Sequence, residues 1–231
     1  VKFRHYFSGS SGNCMTLSDG RTTVLLDAGV SIKEMIRAGV PLEHISAALI
    51  THEHSDHIRS ARDLCELGLT VYATVGTLHA IDLVHDRVRF VAPGNAYYNG
   101  SLEISCFSVF HDAAQPVGYI IESDTGEKSM YCADTSLVKV FPRALTHLVI
   151  ECNYSQALVD RMQNDWLRQR IKKSHLSIEA LCSWLDLVDR SCMQEIHLVH
   201  LSNTNADPGL FKKMIQDRFG IPTYTIDDGL Y

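Results

Sequence analysis

Ile50-Thr51-His52-Glu53-His54-Ser55-Asp56-His57 is the stretch on which the reading of this chain turns. Three histidines and one aspartate fall within six residues. The apolar run Ala47-Ala48-Leu49-Ile50 precedes them and reads as a buried strand. A helical pattern follows, through Ile58, Ala61, Leu64 and Cys65. In extended chain His52 and His54 project to the same side, whereas Asp56 and His57 come after the turn and point elsewhere. Two neighbouring metals, each taking part of the set, suit that spacing better than one. The competing reading, four polar residues of an exposed loop, is the weaker one.

Four further points carry ligand-type residues, each just after an apolar strand: Asp27, His111-Asp112, Asp134 and His200. Strand ends that converge on one sheet edge are where a layered fold places its site. Singly, each is as easily a turn residue, a cap or a satisfied surface histidine. Together with the 52–57 cluster they form a candidate set for zinc, manganese or iron. The seven cysteines include no C-x-x-C pair, which argues against a structural thiolate site. His5, His44, His79, His85, His147 and His197 lack this placement and are read as structural or surface residues.

The chain has 231 residues, 45% hydrophobic and 21% charged, as in an ordinary globular protein. Its net charge of −6 argues against a broad basic nucleic-acid surface, though not against a local groove. No apolar stretch reaches membrane-spanning length, and Val1-Lys2-Phe3-Arg4-His5 has no signal-peptide core. The odd cysteine count, mostly in apolar runs, fits a reduced, cytoplasmic protein with no membrane association.

Taken in order, the pattern predicts strands over 2–7, 14–18, 23–26, 47–50, 71–73, 88–91, 102–110, 117–122, 128–133, 148–150, 196–200 and 223–226. Helices are predicted over 31–38, 60–67, 75–83, 156–166, 167–172, 177–188 and 208–219. Ser8 to Asn13 reads as a small flexible loop. Antiparallel pairs first, then strands alternating with helices, imply one layered α/β (α+β) domain over 1–231, with helices outside two sheets.

His52-Glu53-His54-Ser55-Asp56-His57 resembles the H-x-H-x-D-H signature of the metallo-β-lactamase-fold hydrolases, and Asp27, His111, Asp134 and His200 match that superfamily's remaining motifs in order. The resemblance implies a four-layer αββα sandwich with two divalent metals at one edge. Carried over, His52, His54 and His111 hold the first metal, Asp56, His57 and His200 the second, and Asp134 bridges them. Asp27 orients a ligand histidine. Phe7-Ser8-Gly9-Ser10-Ser11-Gly12-Asn13-Cys14, His111-Asp112-Ala113-Ala114-Gln115-Pro116-Val117-Gly118-Tyr119, His175-Leu176-Ser177 and His200-Leu201-Ser202 are similar to elements of the YycJ/WalJ-like branch, regarded as exonucleases on double-stranded DNA. A more distant similarity to tRNase Z implies a proton-transfer pair, Glu151 and His175. Relatives carry Asn-His-Asp after that glutamate; here Asn153-Tyr154-Ser155 stands instead.

The expected function is therefore a dinuclear-metal phosphodiesterase on nucleic acid, DNA favoured and 5′-to-3′, with zinc or manganese as cofactor and iron admissible. Asp56, His175 and Glu151 are its expected catalytic residues. Other readings are a hydrolase of a thioester or cyclic phosphodiester, an RNA-processing nuclease of tRNase Z type, and a non-catalytic module that keeps metals for folding. Arg161, Arg168, Arg170, Lys172 and Lys173 precede His175, and on sequence alone a solvated helix face is the better reading of them.

Overall fold

Facing alternates along the strands, so each sheet feeds two cores. Val24 and Leu26 point to one side of their strand and Leu25 to the other, and Tyr131 points away from Met130 and Cys132. The computed structural model describes residues 1–228; the last three residues of the expected domain lie outside it. One sheet holds β1 (Lys2–Phe7), β2 (Cys14–Ser18), β3 (Thr23–Leu26), β4 (Ala47–Leu49), β5 (Thr70–Ala73) and β6 (Val88–Phe90), in that order. The other holds β7 (Ala96–Asn99), β8 (Leu102–Ser108), β9 (Val117–Ser123), β10 (Lys128–Cys132), β11 (His147–Glu151), β12 (Glu195–Val199) and β13 (Thr223–Tyr224), also in sequence order. Each sheet begins antiparallel and becomes parallel, from β3 onward in the first and from β10 onward in the second.

Between the sheets, Leu17, Val24, Leu26 and Leu49 meet Leu102, Ile104, Tyr119 and Val149. Outside the first sheet pack α1 (Ile32–Arg37), α2 (Ser55–Ile58), α3 (Ala61–Glu66) and α4 (Val75–Ala80), through Met35, Ile58, Leu64 and Leu78. After α5 (Gln156–Val159) and α6 (Asp165–Ser174), α7 (Ile178–Leu187) and α8 (Pro208–Phe219) cover the second sheet through Leu181, Leu185, Phe211 and Ile215. The result is the expected αββα sandwich. Burying each such leucine contributes about 1.5–3 kcal/mol. That is how three-residue β4, buried on both faces between β3 and β5, is held firmly enough to carry the histidine loop. Among the described residues, no helix is long and apolar enough to cross a membrane.

Two details differ from expectation. The helix expected over 156–166 is broken: α5 stops at Val159 and α6 starts at Asp165, because Asn164 caps α6 by accepting from Leu167 N. Strand β7 appears between the strands expected over 88–91 and 102–110, where none was expected. It is a short edge strand whose residues are half-buried or exposed, so it carries almost no apolar signal.

Candidate metal centre

The second sheet anchors the base of the histidine loop. The Tyr119 hydroxyl donates to the Ile50 carbonyl at 2.7 Å, and Val117 N donates to the Thr51 carbonyl at 3.0 Å. His54 then caps one-turn helix α2, which swings Asp56 and His57 off the line of His52 and His54. The loop is tied to its neighbours backbone to backbone: Asn13 N donates to Asp56 O at 2.7 Å, and Ala28 N to His57 O at 2.7 Å. The approach is so close that a Cβ on Gly29 would lie 1.7 Å from the Asp56 carbonyl oxygen, so only glycine fits there. Asp27 and His200, both at strand ends, take left-handed backbone with φ of 58° and 52°. That conformation is uncommon for non-glycine residues and concentrates at functional sites.

Every sequence-predicted ligand converges at this edge. Single ligand-type atoms of His52, His54, His111 and Asp134 lie within 4.8 Å of one another, and so do those of Asp56, His57 and His200. Asp134 faces both groups. Its Oδ2 is 3.8 Å from His52 Nε2, 3.6 Å from His57 Nε2 and 3.4 Å from His111 Nε2, and its Oδ1 is 3.1 Å from His200 Nδ1. Asp56 Oδ2 is 3.5 Å from both His57 Nε2 and His200 Nε2. Neighbours fix which nitrogen of a ring looks inward. His57 Nδ1 donates to Asp27 Oδ2 at 2.8 Å, and His111 Nδ1 donates to the Ser174 carbonyl at 2.8 Å. In both rings the Nε2 lone pair is left facing the cluster.

Burial and charge oppose each other here. Burial, then His57, His111 and His54, hold His52 well below the ordinary histidine range. For His57 burial works against the charge, but Asp134 and Asp27 outweigh it and raise it to about 10. His200 is likewise raised despite burial, by Asp134, Asp56 and Glu151. Asp56 is held well below the carboxylate range: its burial is overcome by the His200 and His57 rings, each with Nε2 3.5 Å from Oδ2. The carboxylates thus favour positive charge on His57 and His200, and a divalent cation bound to the same nitrogens would supply that charge in place of protons.

The donor set fits such a cation. His52 Nε2, Asp134 Oδ1 and His200 Nε2 are buried without a hydrogen-bond partner, and all three point into the cluster. Buried polar atoms without partners are costly and call for an explanation. Histidine with carboxylate is a zinc, manganese or iron donor set.

Glu151 and His175 also meet: His175 Nδ1 donates to Glu151 Oε1 at 2.5 Å. Glu151 sits closer to the cluster than expected. The same oxygen is 3.2 Å from His200 Nδ1, while Oε2 accepts from Thr135 N and Leu176 N at 2.8 and 3.1 Å. Burial pushes Glu151 up, but His175 and His200 outweigh it and bring it down to about 2. Together with Asp134 and His200, the pair forms a third group of ligand-type atoms within 4.8 Å. The 8–13 loop acts as a brace: Ser8 Oγ accepts from His200 N, and Asn13 Nδ2 lies 3.0 Å from His57 Nε2. Sequence reading assigned no such role to Asn13, Thr51, Tyr131 or the Ser174 carbonyl. Asn13 and Thr51 stood inside or beside the quoted motifs, whereas Tyr131, which donates to Asp27 Oδ2 at 2.7 Å, gave no local signal. The basic run divides. Arg168 and Lys172 pair with Asp165 and Asp160, whereas Arg170 lines a cleft of about 360 Å³ beside His175, His200 and Ser202.

Comparison with known proteins gives three kinds of match. The model of the β-lactamase superfamily domain matches residues 22–200. The chain is 29% identical over 216 residues to the exodeoxyribonuclease YycJ of Bacillus anthracis, covering 86% of this chain and 81% of that protein. It is 29% identical over 228 residues to the exodeoxyribonuclease WalJ of Streptococcus pneumoniae, covering 88% and 82%. The metallo-β-lactamase fold protein YhfI of Bacillus subtilis superposes with a TM-score of 0.76 at 18% identity, over 97% of this chain and 95% of that one.

Proposed function

This chain belongs to the β-lactamase superfamily, as a hydrolase of the metallo-β-lactamase fold, and from that premise we propose that it is a dinuclear-metal phosphodiesterase that degrades nucleic acid from an end, with DNA as the favoured substrate and 5′-to-3′ polarity. The observation that carries the proposal is the convergence of two histidine–carboxylate groups on Asp134, beside an open cleft. The YycJ and WalJ relatives, named exodeoxyribonucleases, support the substrate class.

In this reading His52, His54 and His111 would hold one cation and Asp56, His57 and His200 the other, with Asp134 available to either. Zinc or manganese suits the donors, and iron is admissible. Bound there, divalent cations supply Lewis acidity that acidifies water and offsets charge on a phosphoryl oxygen. The protein's own groups do the rest. Asp27 fixes the His57 ring, and the Ser174 carbonyl fixes His111. Asp56, the carboxylate of the cluster most open to solvent, would accept a hydrogen bond from the attacking water and orient it. Glu151 holds His175 by its Nδ1–H, which leaves Nε2 to give a proton to the leaving oxygen. Tyr154 and Ser155, where relatives carry His and Asp, serve the scaffold instead: the Tyr154 carbonyl accepts from Ile178 N, and Ser155 caps α5. All seven cysteines are unpaired, which supports a reducing, cytoplasmic location.

A substrate panel with metal add-back tests the proposal: 5′-phosphorylated duplex DNA, single strands, RNA and a thioester. Mononucleotides released from duplex ends are the expected result. Turnover of the thioester alone refutes it.

A further inference from the structure

Helix α6 carries charge and aromatic surface that the metal centre does not use. Trp166, Arg170 and Lys173 stand at i, i+4 and i+7, on one face of the helix. The Trp166 side chain is 70% exposed, far more than so large an apolar surface usually is, and the Arg170 guanidinium lies over its ring at 5.8 Å. Asp112, Trp166, Arg170, Lys173 and Ser174 line a second cleft, of about 370 Å³. Arg170 and Ser174 belong to this cleft and to the one containing His175 and His200, so the two adjoin. On the other flank of α6, Arg168 and Lys172 are neutralised by Asp165 and Asp160 at 2.6 and 2.5 Å. Lys173 has no carboxylate partner among the described residues, and Arg170 reaches only Asp112, at 3.9 Å. Lys173 and the loosely paired Arg170 therefore sit beside the exposed indole, on the side facing the site.

We propose that this face of α6 is a strand-binding platform: Trp166 stacks one nucleobase of the strand being cleaved, and Arg170 and Lys173 hold the phosphates joined to it. The inference rests on the nuclease reading above and adds to it the subsite that grips the strand. An exposed aromatic ring accepts any base face, while neighbouring cations track the backbone. Four residues of helix put Trp166 and Arg170 about 6 Å apart along the axis, so base and phosphate of one nucleotide can meet both. The platform ends at the chemistry. The Ser174 carbonyl, in the last turn of α6, holds His111, and Asp112 follows His111 in the chain and faces Arg170. A strand lying on the platform thus arrives between His111 and His175. The overall charge of −6 is no obstacle, because Lys173 without a carboxylate partner and Arg170, held by Asp112 only at 3.9 Å, suffice for a local grip.

The test is kinetic and uses the metal-loaded protein. Wild type, Trp166→Ala, Trp166→Phe and Arg170→Gln are compared on a 5′-phosphorylated oligonucleotide and on methyl p-nitrophenyl phosphate, which is too short to reach the platform. A series of oligonucleotides, each with one abasic residue at a successive position, completes the set. Trp166→Ala is expected to raise KM for the oligonucleotide about tenfold or more. It should leave turnover of the small diester within about twofold, and Trp166→Phe should recover most of the loss. For wild type, one abasic position near the cleaved bond should reproduce the defect, and Trp166→Ala should be insensitive to that position. Equal losses on both substrates, an unchanged KM for the oligonucleotide, or no sensitive abasic position would each overturn the platform. Wild type that cleaves the small diester but no nucleic acid overturns the nuclease reading itself.

Discussion

Asp27→Asn is expected to loosen the centre without changing its volume. The Asp27 carboxylate is fully buried and accepts from Thr51 N at 2.8 Å, Thr51 Oγ1 at 3.0 Å, His57 Nδ1 at 2.8 Å and Tyr131 OH at 2.7 Å. Thr51 N uses Oδ1, its hydroxyl reaches both oxygens, and His57 and Tyr131 share Oδ2. Asparagine keeps one oxygen for Thr51 and turns an NH2 towards two donors. Each lost bond to a charged acceptor costs about 1.5–3 kcal/mol, so a stability loss of about 3 kcal/mol or more follows for the metal-free protein. His57 also loses the group that orients it, which is expected to weaken metal affinity about 10–100-fold. Urea unfolding of the chelated protein reads the first effect, and competition with a chromophoric chelator the second. Tyr131→Phe is the control: it removes one donor, costs about 1.5–3 kcal/mol, and should leave metal affinity within about threefold. Wild-type metal affinity in a folded Asp27→Asn protein would refute the role given to Asp27.

Gly29→Ala places a methyl group against the Asp56 carbonyl, so it should lower stability and metal content together; circular dichroism melts and elemental analysis on the purified variant check this. His175→Ala should keep the bound metal but lower kcat about 10²–10⁴-fold, as measured by steady-state phosphodiesterase kinetics, because only the proton donor is removed. Away from the centre, burial and then the neighbouring His197 hold His5 down to about 3 from the ordinary 6.5. The folded-state value is the lower one, so the unfolded chain takes up a proton first as pH falls. The stability present above pH 6.5 then declines towards pH 3, by about 1.4 kcal/mol per pH unit from this group. His5→Gln, which can still donate to His197 Nδ1, should flatten that part of the slope, by about 2 kcal/mol between pH 6.5 and 5; paired urea titrations measure it.

The layered architecture and the candidate ligands were legible in the sequence for one physical reason. Strands that run in the same direction place their ends on one edge, and strand ends can be recognised from short apolar runs followed by polar residues. Asp27, His111, Asp134 and His200 could be found that way, and the structure brings them to the 52–57 cluster. What orients them could not. Tyr131 meets Asp27 across 104 residues, and the Ser174 carbonyl meets His111 across 63, through contacts that leave no trace in residue type or spacing. Glu151 was paired with His175 alone, because nothing in sequence says that β11 and β12 are neighbours and set Glu151 beside His200. Spacing alone makes the basic run one solvated face; only the geometry of α6 separates Arg170 from Arg168 and Lys172. Trp166 had been absorbed into a helix that the Asn164 cap in fact interrupts.

The most direct measurement is a metal titration of the chelated protein, with phosphodiesterase turnover and bound metal read in the same samples. The account predicts no turnover without metal, activity that rises until two equivalents are bound per chain, and no recovery in His54→Ala at any metal concentration that saturates wild type. Undiminished turnover in the chelated protein, or a His54→Ala variant as active as wild type, would contradict it.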